Sequence, residues 1–526
     1  MPRFGIDRVF EKRLSALVNS GEPTILKGGQ KGVEKESLRV TPDGRIAQTR
    51  HPEALGSALS NPNITTDFSE ALIELVTPPF TESWQLLQYL LDLHQFVYAH
   101  MGNELLWATS MPCAMEGEDS IPIAQYGSSN IAQMKTIYRR GLGLRYGRMM
   151  QAISGVHFNY SFPERFWEAY AAITESRDAG RERVSSAYFD LLRNYHRYGW
   201  IVLYLFGVSP VVCQSFLRDR SAALPELTRG TLYAPYATSL RMSDIGYRNR
   251  NQSGVSISVN SLDDYVRDLS RAISTPHPPY EALGVKVNGE YRQLNANLLQ
   301  IENEYYAFIR PKRVARSGER PTKALRRAGV EYVEVRALDV SAFDPVGVNQ
   351  HKLRFLEAFL ALCLLKQSPL IDASEQELLD QNHLIVARRG REPGLELARE
   401  GRSASMSAWA EELLDSMAGI CELLDQGDPT QPYAHALATQ AAKIRDVKLT
   451  PSARLLAELE SSGESFFELA LRMSAMHKAY FLELYKPNPE RLRELASEAE
   501  ESVAQQRALE SAPREPFEQY LARYFS

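Results

Sequence analysis

Cysteine is scarce in this chain of 526 residues, and no two cysteines form a CxxC pair. The four are Cys113, Cys213, Cys363 and Cys421. This spacing excludes a zinc ribbon and predicts no disulfide framework, so we expect a reducing, cytoplasmic environment.

Long hydrophobic runs and an excess of one charge are also absent. The most apolar stretch, residues 200–213, is broken by Gly207 and Pro210 and is too short to cross a bilayer. The N-terminal residues lack the apolar core of a signal peptide. Lys+Arg 60 against Asp+Glu 65 gives a net charge of −5, which excludes a general nucleic-acid coat. We expect a soluble protein with neither a membrane nor a nucleic-acid partner.

The common phosphate-binding and metalloprotease motifs are missing as well. The sequence contains neither GxxxxGK[ST] nor HExxH, and the glycines of residues 28–32 fit neither a P-loop nor GxGxxG. A nucleotide would therefore have to be held by metal ions and side chains.

The character of the chain changes near residue 350. Residues 25–350 mix short β-like alternations with helical segments, whereas residues 351–526 have helical periodicity almost throughout. The helices expected there cover residues 355–362, 409–424, 466–484 and 490–507. We predict an α+β core over residues 1–350 that carries the chemistry, with a helical part over residues 351–526 packed on it.

Residues 33–40 are the most informative short segment. Read as a strand, they place Glu34 and Glu36 on the face that continues into the core. The odd-numbered positions, with Lys35 and Arg39, are expected to face solvent. Two inward carboxylates repel each other unless a cation lies between them, and oxygen ligands suit Mg²⁺. The alternative is a frayed strand with both acids solvated.

A second acidic segment covers residues 65–78. Glu74 has apolar neighbours on both sides, so it is the acid least easily left in solvent, and we interpret it as functional. Asp67 and Glu70 have the D-x-x-E spacing of a capping box ahead of a short helix, which is the simpler interpretation of that pair.

Two further strands carry polar residues on one face. Residues 155–161 place His157 and Asn159 on a face that is polar throughout, as the lining of a cavity would be. In residues 329–339, Glu334 and Arg336 share a face. The structural alternatives are a hydrogen-bonded histidine and a buried ion pair; the functional one is a metal ligand beside an arginine that binds phosphoryl or carboxylate oxygens.

A basic segment precedes the last of these strands. Residues 310–327 contain eight basic residues and one acid. A solvated loop or a weak nucleic-acid patch is possible in principle, but no aromatic stacking platform is interleaved. A loop that faces polyphosphate fits better, since the acidic strands would bring Mg²⁺ to the same place.

Together these segments resemble the bacterial single-chain class of glutamate–cysteine ligases, in order from about residue 28 to residue 350. The matching segments are KGVEKESLRV, HPEALGSALS, ITTDFSEALIELVTP, AQYGSSN, SGVHFNYSF, YATSLRMSDIGY, LQIENEYYAFIRPKR and YVEVRALD. The resemblance implies the fold of the glutamine synthetase and guanidino-kinase superfamily, in which a curved, mainly antiparallel sheet forms a funnel. It also implies ATP-dependent ligation of the glutamate side-chain carboxylate to the cysteine amine, through γ-glutamyl phosphate.

The resemblance also assigns site residues. The metal-binding positions would be Glu34, Glu36, Asp67, Glu74, His157 and Glu334. Arg241 and Arg336 would hold glutamate carboxylate and phosphoryl oxygens, and Lys312 and Arg313 the nucleotide phosphates. The cysteine pocket would comprise Phe68, Tyr138, Gln151, Tyr247 and Tyr306. The resemblance overrules the capping-box interpretation for Asp67 but not for Glu70, and Phe308 stands where the motif is expected to have a proline.

Further expectations follow from the family. They are Mg²⁺ (or Mn²⁺) as the metal, ATP as co-substrate, glutathione as a feedback inhibitor, and a cytoplasmic monomer. The rival functions are a glutamate ligase for another amine, a phosphagen-type kinase, and a non-catalytic protein that binds acidic metabolites or nucleic acid through residues 310–327.

Overall fold

The computed structural model describes residues 7–20, 22, 24–174, 179–217, 223–246, 255–316 and 318–526. The strands are β1 Gln30–Val40, β2 Ile64–Thr66, β3 Leu72–Val76, β4 Leu105–Leu106, β5 Gly155–Ser161, β6 Val211–Cys213, β7 Glu226–Thr228, β8 Thr231–Tyr233, β9 Lys286–Val287, β10 Glu290–Tyr291, β11 Ile309–Lys312, β12 Tyr332–Asp339, β13 Glu396–Arg399 and β14 Arg402–Ser405. The main sheet has the order β11-β12-β5-β1-β3-β2, with β4 also paired to β1, and every pair is antiparallel.

Helices make up most of the remaining structure. They are α1 Arg8–Val18, α2 Ser83–His100, α3 Asn130–Tyr146, α4 Arg148–Gln151, α5 Glu164–Thr174, α6 Gly180–Tyr198, α7 Trp200–Phe206, α8 Leu262–Ala272, α9 Pro278–Leu283, α10 Pro321–Ala328, α11 Gln350–Leu365, α12 Ala373–Arg389, α13 Met406–Asp425, α14 Pro432–Arg445, α15 Pro451–Ser462, α16 Phe466–Ala479, α17 Pro489–Ser511 and α18 Phe517–Phe525. Among the described residues, no helix combines the length and apolar character needed to span a bilayer.

The four helices predicted beyond residue 350 are confirmed as parts of α11, α13, α16 and α17. The predicted 466–484 helix is continued past α16 by a short π-helix over Tyr480–Leu484. The β13–β14 hairpin is an addition that the helical pattern did not predict. Buried side chains of both parts of the chain belong to one core, which runs from Phe10 to Ala499 and includes most of α11.

The odd-numbered positions of β1 are buried, so the prediction that they face solvent is wrong. Glu104, immediately before β4, lies 2.6 Å from Arg39. On the same face, Glu357 of α11 lies 2.9 Å from Lys31. These counter-charges come from residues 65 and 326 positions further along the chain, so the alternation within the strand could not reveal them. The open face of β1 is the one with Glu34, whose side chain is 18% exposed.

The prediction of no disulfide is also wrong, because Cys113 and Cys213 form one. Cys113 lies in the loop after β4 and Cys213 is the last residue of β6, and both belong to the same buried cluster. They are 100 residues apart, and spacing alone does not show that the fold brings them together. Cys363 and Cys421 are free and buried.

Candidate active site

The register of the sheet collects the predicted acids on its open face. Glu36 is opposite Glu74, and Glu34 is opposite His157. Glu334 is opposite Asn159 of β5. Directly paired residues of neighbouring strands project to the same face, with Cβ atoms about 4.5–5.5 Å apart. Three sequence-distant strands therefore bring their acids into one cluster around His157.

His157 is the centre of this cluster. Its Nδ1 lies 3.2 Å from Glu34 Oε2 and 3.8 Å from Glu334 Oε1, and its Nε2 lies 3.9 Å from Glu36 Oε1. Glu34, Glu74 and His157 each offer a ligand atom, and these atoms lie within 4.8 Å of one another. Asn159 donates a 2.9 Å hydrogen bond to Glu34 Oε1. The arrangement can hold a divalent cation.

The acids perturb one another strongly. Burial, followed by the charges of Glu34 and Asp67, raises the pKa of Glu74 well above its ordinary value. Burial also raises the pKa of Glu36, although the charge of His157 opposes the shift. A cation bound between these carboxylates would remove the repulsion that both shifts record.

The pKa values of the other two strand acids move in the opposite direction. Burial by itself raises the pKa of Glu334, but the charges of Lys312 and Arg336 hold it well below its ordinary value. Burial and the charge of Glu334 raise the pKa of Glu34, yet the hydrogen bond with His157 and the charge of Lys312 bring it below normal. The pKa values of the cluster are thus lowered on the side next to the basic residues and raised on the side of Glu36 and Glu74.

Asp67 and Glu70 lie in the turn between β2 and β3, where no helix begins, so the capping-box interpretation is wrong. Asp67 is close enough to raise the pKa of both Glu36 and Glu74, which joins it to the cluster. Glu70 is structural: its carboxylate accepts hydrogen bonds from the backbone N–H groups of His51 (2.9 Å) and Gln125 (2.8 Å).

Basic side chains border the cluster on the β11–β12 side. Lys312 Nζ lies 3.4 Å from Glu334 Oε1, and Arg336 donates to the same oxygen at 3.2 Å. Arg336 is partly open, with 20% of its side chain exposed. Arg241 is only 1% exposed and donates to the backbone carbonyl of Arg336 at 3.2 Å. Arg313 instead lies beside Glu331, at 3.4 Å, and is not brought to the acids.

The residues predicted for the cysteine pocket come from several elements around the sheet. Phe68 is buried in the β2–β3 turn, and Tyr138 lies on α3, where burial and the charge of Glu304 raise its pKa. Gln151 ends α4. The hydroxyl of Tyr306 donates to the sulfur of Met242 at 3.2 Å. Tyr247 lies outside the described residues.

Phe308 packs into the fold. It is 7% exposed and makes an edge contact with His383 of α12, with ring centroids 4.3 Å apart. Its carbonyl accepts a 2.9 Å hydrogen bond from the Arg336 N–H. The aromatic side chain therefore ties this segment to α12 in place of the rigidity that a proline would give.

The basic segment 310–327 is largely engaged within the protein. Arg320 binds Glu302 at 2.9 Å, and Arg327 binds Glu319 at 2.8 Å. Arg310 is part of β11, opposite Glu334, and donates to the carbonyl of Asn303 at 3.0 Å. Much of the positive charge that the sequence suggests as a basic patch is therefore paired with groups within the protein.

Sequence reasoning missed two residues near the cluster. Arg310 was assigned to a loop, although period-two alternation with Lys312 could have placed both on the face of Glu334. Asp339, the last residue of β12, lies with its Oδ1 3.7 Å from Arg241 Nη1, and no local pattern indicates this contact.

Comparisons with known proteins agree with the geometry. The model of the family described as glutamate–cysteine ligase matches residues 14–386. The chain is 48% identical to the glutamate–cysteine ligase of Alcanivorax borkumensis over 520 residues, covering 98% of this chain and 99% of the relative. It is also 48% identical to that of Pseudomonas putida over 516 residues, covering 98% of each.

Solved structures are similar over nearly the whole chain. The glutamate–cysteine ligase of Francisella tularensis, solved in complex with AMP, superimposes with a TM-score of 0.89 at 35% identity, covering 95% of this chain and 98% of that one. A bifunctional glutathione synthetase from Pasteurella multocida shares the fold, with a TM-score of 0.72 at 23% identity over 91% of this chain and 55% of its own. The predicted α+β fold is confirmed. The chain belongs to the glutamate–cysteine ligase family, the ligases that form γ-glutamylcysteine in glutathione synthesis.

Proposed function

We propose that the enzyme joins the side-chain carboxylate of L-glutamate to the amine of L-cysteine in two chemical steps. A carboxylate oxygen first attacks the γ-phosphorus of ATP, and ADP leaves, giving γ-glutamyl phosphate. The cysteine amine then attacks the acyl carbon, phosphate leaves, and the amine loses a proton. ATP itself activates the acid, so no protein nucleophile is required.

A divalent cation, Mg²⁺ or Mn²⁺, fits the acid cluster. The proposed ligands are Glu34, Glu36, Asp67, Glu74, His157 and Glu334. The donor set, mainly carboxylate oxygens with one imidazole, suits these ions. Glu334 Oε2 is buried and has no hydrogen-bond partner among the described residues, which supports a role as a ligand. When bound, the cation would neutralise phosphate oxygens and favour charge transfer to the leaving group.

The basic residues beside the cluster are assigned to the substrates. We assign Arg336 and Lys312 to phosphoryl oxygens, because both reach Glu334 and Arg336 is open to solvent on one side. A planar guanidinium can bind two oxygens of one group at once. Arg241 is assigned to a carboxylate of glutamate. Arg313 is left out, since its partner is Glu331.

The acceptor pocket is assigned to a mainly aromatic set of residues that includes Tyr306. Phe68, Tyr138 and Tyr306 offer apolar rings to a thiol-bearing substrate, while tyrosine hydroxyls can bind its polar end. Gln151 and Tyr247 complete the proposed set. A guanidino substrate would call for carboxylate partners here instead, which favours a ligase over a phosphagen-type kinase.

The observation that carries this proposal is the convergence of acids from β1, β3 and β12 on His157 of β5, with Arg336 and Lys312 alongside. The test is phosphate release from ATP and Mg²⁺ with glutamate, comparing cysteine, 2-aminobutyrate, ammonia, arginine and no acceptor. We expect release to require glutamate and to be fastest with cysteine. Fastest release with another amine would reassign the acceptor, and no release with any acceptor would overturn the proposal.

We also infer that glutathione competes with glutamate, because its γ-glutamyl part keeps the α-amino and α-carboxylate groups of glutamate. A monomer in the cytoplasm is the expected form. Inhibition kinetics with glutathione against varied glutamate, and light scattering of the purified chain, test these two points separately.

A further inference from the structure

The guanidinium of Arg241 rests directly on the backbone of Gly155, the first residue of β5. A Cβ added to Gly155 would lie 2.0 Å from Arg241 Nη2 and 2.7 Å from its Cζ. The requirement is one of space, since the backbone of Gly155 is not in the left-handed region. Only glycine leaves room for the arginine in this position.

Gly155 also contacts the acid cluster. Its N–H donates a 2.6 Å hydrogen bond to Glu36 Oε2, and the charge of Arg241 acts to lower the pKa of Glu36. One residue therefore serves two groups: its amide holds a proposed metal ligand, and its missing side chain makes room for a proposed substrate ligand.

Asp339 holds the segment that carries Arg241 from the other side. Its Oδ2 accepts hydrogen bonds from the Val208 N–H at 2.8 Å and the Ser209 hydroxyl at 2.7 Å. Its Oδ1 accepts from the Ser239 hydroxyl at 2.9 Å and lies 3.7 Å from Arg241 Nη1. The carboxylate is fully buried, and hydrogen bonds of this kind to a buried charge are strong and directional.

Ser239 connects this network to Arg241 through the backbone. It caps the short 3₁₀-helix Leu240–Met242, accepting a 3.3 Å hydrogen bond from the Met242 N–H. Asp339 therefore provides the counter-charge of the guanidinium and also orients the turn from which the side chain extends.

We propose that Gly155 and Asp339 are positioning residues for Arg241, which hold its guanidinium beside Glu36 so that a carboxylate of glutamate binds next to the metal ligands. The inference rests on the role given to Arg241 under the proposed function. It predicts a defect that is larger for glutamate than for ATP or cysteine. The side chains that Gly155 and Asp339 contact are Arg241, Glu36, Ser209 and Ser239, and not the side chains assigned to the nucleotide phosphates or to cysteine.

The decisive variant is Gly155→Ala. Because the atoms in the way belong to the end of a flexible side chain, the arginine should move and the fold should persist. We expect KM for glutamate to rise about 10- to 100-fold, the loss expected when a hydrogen bond between charged groups is broken, while KM for ATP and cysteine changes less than twofold. The matched control is Gly32→Ala in β1, where a Cβ would meet only ordinary contacts, the nearest at 3.7 Å.

Asp339→Asn and Arg241→Met complete a double-mutant cycle. In the Arg241→Met background, adding Gly155→Ala or Asp339→Asn should not raise KM for glutamate further. Full additivity, or an unchanged KM in Gly155→Ala with the thermal transition intact, would overturn the positioning role. If Arg241→Met itself leaves KM for glutamate unchanged, the assignment of Arg241 under the proposed function fails instead. If Asp339→Asn does not fold, the double-mutant cycle of Gly155→Ala and Arg241→Met still tests the positioning role of Gly155.

Discussion

The two faces of the central sheet both bury charge, but they balance it differently. On the covered face, Lys31 and Glu357 lie 2.9 Å apart and are each 1% exposed, and the Tyr433 hydroxyl donates to Glu357 at 2.6 Å. On the open face, Glu36 and Glu74 are cross-strand neighbours with pKa values raised mainly by burial and by nearby acids.

The comparison of the two faces distinguishes charged residues that stabilise the fold from charged residues suited to binding a ligand. A buried ion pair with its hydrogen bonds satisfied needs nothing from outside the protein. Acids that raise one another's pKa repel each other when ionised, which destabilises the fold, and a bound cation would remove this repulsion. The open face, where the charges of the acids are not balanced within the protein, is therefore where we propose that the cation binds.

The largest expected effect is on activity, from a change on the open face. Glu334→Gln keeps the shape of the side chain but removes the charge that Lys312 and Arg336 contact, so kcat should fall on the order of 10³-fold. Steady-state assays with saturating ATP and Mg²⁺ measure this. Glu331→Gln, three positions earlier, is the control and should keep nearly full activity. Equal activity in both variants would contradict the assignment of Glu334.

The second effect is on stability, from the covered face. Glu357→Gln leaves Lys31 charged and buried without its counter-ion, which should lower the free energy of unfolding by about 3–5 kcal/mol. Thermal unfolding measures the loss, and the KM values should stay unchanged. The double variant Lys31→Met, Glu357→Leu should recover most of the stability. A single variant as stable as the parent would contradict the structural role of the pair.

The third effect concerns pH. Burial lowers the pKa of Lys35, on the covered face, from its usual 10.5 to about 7. Between these values the unfolded chain binds one more proton than the folded chain, so the free energy of unfolding should rise with pH. The contribution is about 2–3 kcal/mol between pH 7 and pH 9. Chemical denaturation of the parent and of Lys35→Met across this pH range isolates the contribution of Lys35. If the free energy of unfolding depends on pH in the same way for both proteins, the prediction is contradicted.

The smallest expected effect is an increase in the melting temperature, whereas replacing a buried charged residue usually lowers it. Glu74→Gln removes one of several mutually repelling acids, so the metal-free protein should melt about 2 °C higher. Added Mg²⁺ should raise the melting temperature of the parent by mass action and that of Glu74→Gln much less. A variant that melts lower than the parent without metal, or responds equally to Mg²⁺, would contradict the view of Glu74 as a ligand.

Local patterns predicted the acid faces because side-chain direction along a strand is a local property. Glu34, His157 and Glu334 each stood out within their own strand, and pairing of the strands then brought them together. The resemblance to a family added Asp67, which alternation alone would have left as a helix cap.

What local patterns could not give were contacts made by distant segments. Which face of β1 is open depends on Glu357, and the Cys113–Cys213 pairing depends on how β6 packs. The contacts of Arg241 are of the same kind. Gly155 and Asp339 can be identified as its neighbours only once three separate segments of the chain are packed together. Such contacts are set by tertiary packing, which single-strand periodicity does not encode.

The pairing of Lys31 with Glu357 has a consequence for how the chain is made. Every strand of the main sheet lies before residue 340, whereas the counter-ion of Lys31 is in α11. During synthesis the whole sheet leaves the ribosome before the helix that neutralises and covers its back. We therefore expect that a nascent chain ending near residue 350, where the composition changes, does not fold stably, because Lys31 would be without Glu357 and the covered face of the sheet without α11.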